Sequence, residues 1–181
     1  MAWDAVFRAL RDGPATEAPA PPEQSDIDAL AARLKAGSLR KLGRSLAIRV
    51  VDSGSCNGCE LEIQMLGSIV YDLERFGLRF VASPRHADVL LVTGPVTRNM
   101  QDALLRTWQA TPDPKWVVAI GDCAIDGGVF KGSPAIVGGI DAALPVDLVI
   151  RGCPPSPGAI LSGLCALVEA HARPDTPSRV R

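Results

Sequence analysis

Leu46-Ala47-Ile48-Arg49-Val50-Val51-Asp52-Ser53-Gly54-Ser55-Cys56-Asn57-Gly58-Cys59-Glu60-Leu61-Glu62-Ile63 is the stretch that decides the fold. An apolar, β-branched run stops at a turn rich in serine and glycine, and an amphipathic run follows it. The order is strand, turn, helix, and the turn carries two cysteines with two residues between them. Further out the pattern recurs twice. An apolar run over residues 116–120 leads into Gly121-Asp122-Cys123, and another over 147–150 leads into Arg151-Gly152-Cys153.

The intervening segments alternate in the same sense. Residues 61–76 are expected to form one helix with Ile63, Leu66, Val70 and Leu73 on one side. Short strands are expected over 78–82 and 88–93, the second ended by Gly94-Pro95. A helix over 98–111 stops at Pro112, residues 124–146 are irregular, and a last helix runs from Pro157 or Gly158 to His171. Strands alternating with helices imply an α/β domain over residues 45–172: a mainly parallel sheet with helices on both faces, three layers in all. Upstream, residues 25–44 are expected to be an N-terminal helix with Ser25 and Asp26 as caps and Ile27, Leu30 and Leu34 as its stripe. Its basic cluster, Lys35, Arg40, Lys41 and Arg44, is either a solvated face or a contact for an acidic partner or lipid headgroups. Residues 1–24 form a helical and linker extension. Trp3, Val6, Phe7 and Leu10 make a short docking stripe, and a Pro- and Ala-rich tether follows from residue 13. Residues 173–181 read as a tail.

Composition narrows the function. With 47% hydrophobic and 22% charged residues, the 181-residue chain can bury one good core. A net charge of -1 with only 4% aromatics leaves neither the basic footprint nor the stacking platform of a nucleic-acid binder. No apolar run reaches the ~18 residues of a membrane span, and the N-terminal residues lack a signal-peptide core or twin-arginine pair. A cytoplasmic chain is expected, and five cysteines in such a compartment point to metal or redox chemistry more than to disulfides.

In an open parallel sheet ligands sit beyond the carboxyl ends of the strands. Cys56, Cys123 and Cys153 each follow a strand, and Cys59 shares the turn of Cys56. Four thiols from three distant segments are thus expected at one sheet edge, as ligands of one iron–sulfur cluster. Gly54 and Gly58, and similarly Gly121 and Gly152, are expected to let backbone approach sulfur. The helix after Cys59 presents its positive end to an anionic centre. Other readings stand beside this one: a four-cysteine zinc site, which usually has two close cysteine pairs; a thioredoxin-like Cys-x-x-Cys; and inert core cysteines. Cys165, inside an apolar helix, is expected to be a core residue only. There is no candidate nucleophile and no nucleotide-binding glycine fingerprint after the first strand.

Ser55-Cys56-Asn57-Gly58-Cys59-Glu60-Leu61-Glu62-Ile63, Ser83-Pro84-Arg85-His86-Ala87-Asp88, Gly94-Pro95-Val96-Thr97-Arg98 and Gly152-Cys153-Pro154-Pro155-Ser156-Pro157 together resemble a known family. It is the cluster-bearing small subunit shared by respiratory complex I and membrane-bound, energy-converting nickel–iron hydrogenases. The resemblance spans residues 40–170. It implies a flavodoxin-like fold in which Cys56, Cys59, Cys123 and Cys153 hold one 4Fe–4S cluster. It further implies electron transfer between a ferredoxin-like iron–sulfur subunit and a large, nickel–iron catalytic subunit, in a complex with membrane subunits on the inner face of the cell membrane. Asn57 and Gly58 separate the first two cysteines as in the hydrogenase branch, particularly its formate-hydrogenlyase-like members; complex I members carry them adjacent. Glu62 matches an acidic position of the family, either a proton path or a first-turn carboxylate favouring the helix dipole, and Glu60 has the same two readings. Arg98 and Arg151 are candidates for neutralising the cluster. Asp122-Cys123-Ala124-Ile125-Asp126 departs from the pattern, where smaller and less acidic neighbours are expected.

Overall fold

The structure, a computed structural model, describes residues 24–172. The expected docking helix and linker up to residue 23, and the tail over 173–181, lie outside the described residues. Helix α1 (Gln24–Leu42) comes first. It is followed by β1 (Leu46–Asp52), α2 (Gly58–Met65), β2 (Leu78–Phe80) and β3 (Val89–Thr93). Next come β4 (Val96–Thr97), α3 (Arg98–Ala110), β5 (Trp116–Ile120), α4 (Asp122–Asp126), β6 (Ile136–Gly138), β7 (Leu148–Ile150) and α5 (Pro157–Ala172).

Five strands form one parallel sheet in the order β2-β1-β3-β5-β7. The strand order reverses at β1 and β3, which is the flavodoxin-like order and its switch point. The central strands β3 and β5 are buried along their whole length, which explains their unbroken apolar sequences. Their side chains alternate between two cores. Val89 and Leu91 with Trp116, Val118 and Ile120 face a core shared with α1, α2 and α5. Leu90 and Val92 with Val117 and Ala119 face the other, shared with α3 and α4. The expected α/β three-layer architecture with an N-terminal helix is what the chain adopts.

Two expectations need correction. The helix expected over 61–76 ends at Met65. From Leu66 to Ser68 the backbone shifts to tighter bonds three residues back, at Gly67, the poorest helix former of the stretch. A short 3₁₀ turn, Leu73–Phe76, ends the segment. Leu66 and Leu73 still reach the core, whereas Val70 is half exposed and Ile69 is 99% exposed. The second correction concerns residues 124–146. They are not wholly irregular, because α4 extends to Asp126 and β6 pairs antiparallel with β4. Boundaries elsewhere moved by a residue or two. Part of the expected basic cluster is structural. Arg44 grips Asp88 with both terminal guanidinium nitrogens, at 2.8 and 2.6 Å, and Asp88 also accepts the Ala47 N–H.

Candidate functional site

Three turns at the carboxyl edge of the sheet carry the four cysteines. The first leaves β1. Asp52 Oδ1 accepts the N–H groups of Gly54 and Ser55, both at 2.7 Å. The fully buried Ser53 bonds through Oγ to the carbonyls of Thr93, Gly94 and Pro95. Asn57 takes a left-handed conformation, φ 71°, which asparagine tolerates better than most residues, and it turns the chain into α2. Cys59 therefore lies in the first turn of that helix. The second turn follows β5, and Cys123 lies in the first turn of α4. The third follows β7 and carries Cys153.

None of these cysteines is in a disulfide; Cys56 and Cys153 are exposed, Cys59 and Cys123 half-buried. The turns bring them into one electrostatic neighbourhood. Burial pushes the Cys59 thiol up to about 12, and the charges of Glu60, Cys56, Cys123 and Cys153 add to the rise. Burial also pushes the Cys123 thiol up; a hydrogen bond from the Val129 N–H opposes it, and Cys153, Cys56 and Asp122 reinforce it. Glycine backbone lies against two of the sulfurs. A Cβ on Gly121 would stand 2.7 Å from Cys59 Sγ, and one on Gly128 would stand 2.8 Å from Cys123 Sγ. Both glycines have positive φ, 87° and 50°, so their missing side chains serve both the turn and the close approach.

The remaining expected residues fall as follows. Of the expected glycines, Gly121 does approach sulfur closely, and a Cβ on Gly58 would stand 3.5 Å from Cys56 Sγ, an ordinary contact distance. A Cβ on Gly54 would strike the Thr97 side chain, and one on Gly152 would strike Pro155 at 2.6 Å, so these two serve chain packing. Glu60 is half-buried. Its Oε1 accepts the Ser55 hydroxyl at 2.6 Å and also the Thr93 hydroxyl. Its Oε2 is buried without a partner. Glu62 is half-buried on α2. Arg98 Nε donates to the Pro134 carbonyl at 2.7 Å, tying α3 to the loop before β6. Arg151 is exposed. Asp122 does not hang free beside Cys123: its Oδ1 accepts the Gly152 N–H at 3.1 Å. Asp126 is held by the Gly128 N–H and by Lys131. Cys165 lies in the core and its Sγ donates to the Leu30 carbonyl at 3.1 Å. Sequence reasoning missed Gly128, Ser55 and Thr93. For Gly128 the one available signal was the Gly127-Gly128 pair that begins four residues after Cys123.

The donor set fits an iron–sulfur cluster: four free thiols from three turns at one edge, glycine backbone close against the sulfurs of Cys59 and Cys123, and the Val129 N–H on Cys123 as well. Among the described residues no three His, Cys, Asp or Glu side chains stand close enough to grip a single metal ion. Thiolates bound to separate irons of a cluster need not converge on one point as the ligands of a single ion do.

Fold and site together define a class: an α/β protein with a doubly wound parallel sheet and a cysteine quartet at the switch-point edge. A family model described as "NADH ubiquinone oxidoreductase, 20 Kd subunit" matches residues 56–167, a span that contains all four cysteines. The chain belongs to that family. It is 47% identical over 157 residues to formate hydrogenlyase subunit 7 of Escherichia coli K12, covering 84% of this chain and 62% of that protein. It is 48% identical over 132 residues to the probable membrane-bound hydrogenase subunit mbhJ of Pyrococcus furiosus, covering 73% of this chain and 79% of the relative. A chain in the structure of the membrane-bound sulfane sulfur reductase, an archaeal respiratory membrane complex, superposes with a TM-score of 0.66 at 36% identity, covering 78% of this chain and 77% of that one.

Proposed function

We propose that the chain is an electron-transfer subunit of a membrane-associated hydrogenase complex, holding one 4Fe–4S cluster through Cys56, Cys59, Cys123 and Cys153. The observation that carries this reading is the quartet of unpaired, mutually interacting thiols at one sheet edge. Family membership and the two hydrogenase-subunit relatives support it. When bound, the cluster supplies one-electron redox chemistry. The chain's own residues bind and orient it. Gly121 and Gly128 bring backbone against the sulfurs, the Val129 N–H donates to Cys123, and the sheet edge keeps water from one side of Cys59. Glu62, half-buried in the first turns of α2, keeps both of its readings, a carboxylate favouring the helix dipole or a proton path, and Arg98 fastens the outer loop.

The proposed partners are a large nickel–iron subunit, a ferredoxin-like iron–sulfur subunit and membrane subunits on the inner face of the membrane. No described helix is long and apolar enough to cross a membrane, so attachment would run through those partners. Exposed Leu61, Met65, Ile69 and Val70 on and after α2 support a life in contact with other chains. The family model's own name favours a second reading, the equivalent subunit of a complex I-type quinone reductase. Anaerobic reconstitution with low-temperature EPR tests the cluster: a reducible cubane signal is expected, and bound zinc with no signal would refute it. Hydrogen evolution by the purified complex, against quinone reduction, separates the two readings.

A further inference from the structure

We propose that Glu60 and Asp122 are positioning residues, each carboxylate fastening a cysteine-bearing turn to its neighbour so that the four thiols are assembled before metal arrives. This rests on the reading that the quartet binds a cluster. Glu60 directly follows Cys59. Its Oε1 reaches back across the Cys56–Cys59 turn to the Ser55 hydroxyl at 2.6 Å and outward to the Thr93 hydroxyl at the end of β3. Ser55 Oγ in turn accepts the Asn57 N–H at 3.1 Å. One carboxylate oxygen thereby closes the first cysteine turn and pins it to the adjacent strand.

Asp122 directly precedes Cys123. Its N–H donates to the Gly152 carbonyl at 2.9 Å, and its Oδ1 accepts the Gly152 N–H at 3.1 Å. This reciprocal pair joins the turns of Cys123 and Cys153 across thirty residues of sequence. Neither carboxylate is part of a sheet ladder, and each is next in sequence to a cysteine. The buried, unpartnered Oε2 of Glu60 is unfavourable for folding alone, which argues that the residue is kept for the site. Partners that orient metal ligands act in this way in other metal centres.

The test uses the full chain, reconstituted anaerobically with ferrous iron and sulfide, with bound iron, EPR and apo-chain thermal melting as readouts. Glu60→Ala and Asp122→Ala should each weaken iron uptake by about 10-fold or more. Glu60→Gln and Asp122→Asn keep the acceptor oxygen and should restore uptake. Alanine variants that load like the wild type overturn the proposal, as does a failure of the conservative variants to restore loading. If an alanine variant does not fold, Ser55→Ala with Thr93→Val removes the donors to Glu60 instead, and wild-type loading in that pair overturns it. A wild-type chain that takes up no iron refutes the cluster reading and this inference with it; a wild type that loads alongside equally loading variants refutes the inference alone.

Discussion

At Cys59, burial and four neighbouring charges all work against the ionised form. The thiolate, not the thiol, is the nucleophile. Apo-chain labelled with iodoacetamide at mildly alkaline pH should therefore react first at the exposed Cys56 and Cys153 and last, within the quartet, at Cys59. Cys59 labelling should rise about tenfold per pH unit, since its thiol is well below half-ionised until about 12. Peptide mass spectrometry reads this directly, and equal rates at Cys59 and Cys153 would contradict it. Gly121 permits a sharper comparison. Gly121→Ala forces a side chain to φ 87° and sets its Cβ 2.7 Å from Cys59 Sγ. Gly132→Ala meets φ 84° with nothing within 4 Å. Gly132→Ala should lose about 1–2 kcal/mol of stability in denaturant titrations from its positive φ alone; Gly121→Ala, at a ψ of 156° in a region essentially reserved for glycine, should lose more, and only it should also lose iron uptake. The quartet was legible in the sequence because Cys56, Cys123 and Cys153 each follow an apolar run and Cys59 shares the turn of Cys56. Thr93 and the role of Asp122 were not, because they arise where segments distant in sequence meet; Gly128 and Ser55 were not, because their local contacts depend on how each turn folds back on itself. Asp122 in particular reads as a stray charge beside Cys123 until its bond to Gly152 is seen.

Among the elements, α1 shows most plainly how a surface ion pair and a packed stripe divide the work of docking. Ile27, Ala31 and Leu34 are fully buried against the core that also takes Leu164 and Val168 of α5. Arg33 grips Glu169 with two bonds of 2.9 Å, but the pair is 57% and 38% exposed. A buried leucine deletion costs about 2–5 kcal/mol, and an exposed ion pair is worth about 0–1 kcal/mol. Leu34→Ala should therefore shift the urea midpoint far more than Arg33→Ala, with the slope unchanged; comparable shifts would mean that α1 is held by charge. The stripe behind this, Ile27, Leu30 and Leu34, was readable at helical spacing. The end of α2 was not. Ile63, Leu66, Val70 and Leu73 fit one helical face on paper. Leu66 and Leu73 satisfy the same core across a loop closed by the Leu73 N–H to Leu66 carbonyl bond, a contact no periodicity reveals. The small β4–β6 pair was missed for a related reason, being two and three residues long and too short to show alternation.

Across the whole molecule, the quartet joins turns that leave β1, β5 and β7, so it spans three of the five strands of the sheet. A group bound by all four thiols would tie together segments that are otherwise joined at this edge by a few hydrogen bonds, and it would bind the folded chain far better than the unfolded one. Binding to the native state alone stabilises by about 2.7 kcal/mol at a hundredfold excess over Kd. For a chain of this size that is roughly 5–10 °C in melting temperature. The sign of the pH dependence follows from the thiols. Ligating cysteines must lose their protons, and the Cys59 thiol is raised from 9.0 to about 12 while Cys123 is also raised. Protons therefore compete with the metal at every pH below that range, and the competition strengthens as pH falls. The melting increment on anaerobic reconstitution should be largest near pH 8.5, smaller at pH 7 and smallest near pH 6. Cys153→Ser should remove most of the increment. Cys165→Ser, whose side chain lies in the core rather than at the edge, should lower the melting temperature of both forms alike and leave the increment intact. An increment that survives Cys153→Ser, or grows as pH falls, would mean that the stabilising group is held somewhere other than these thiols.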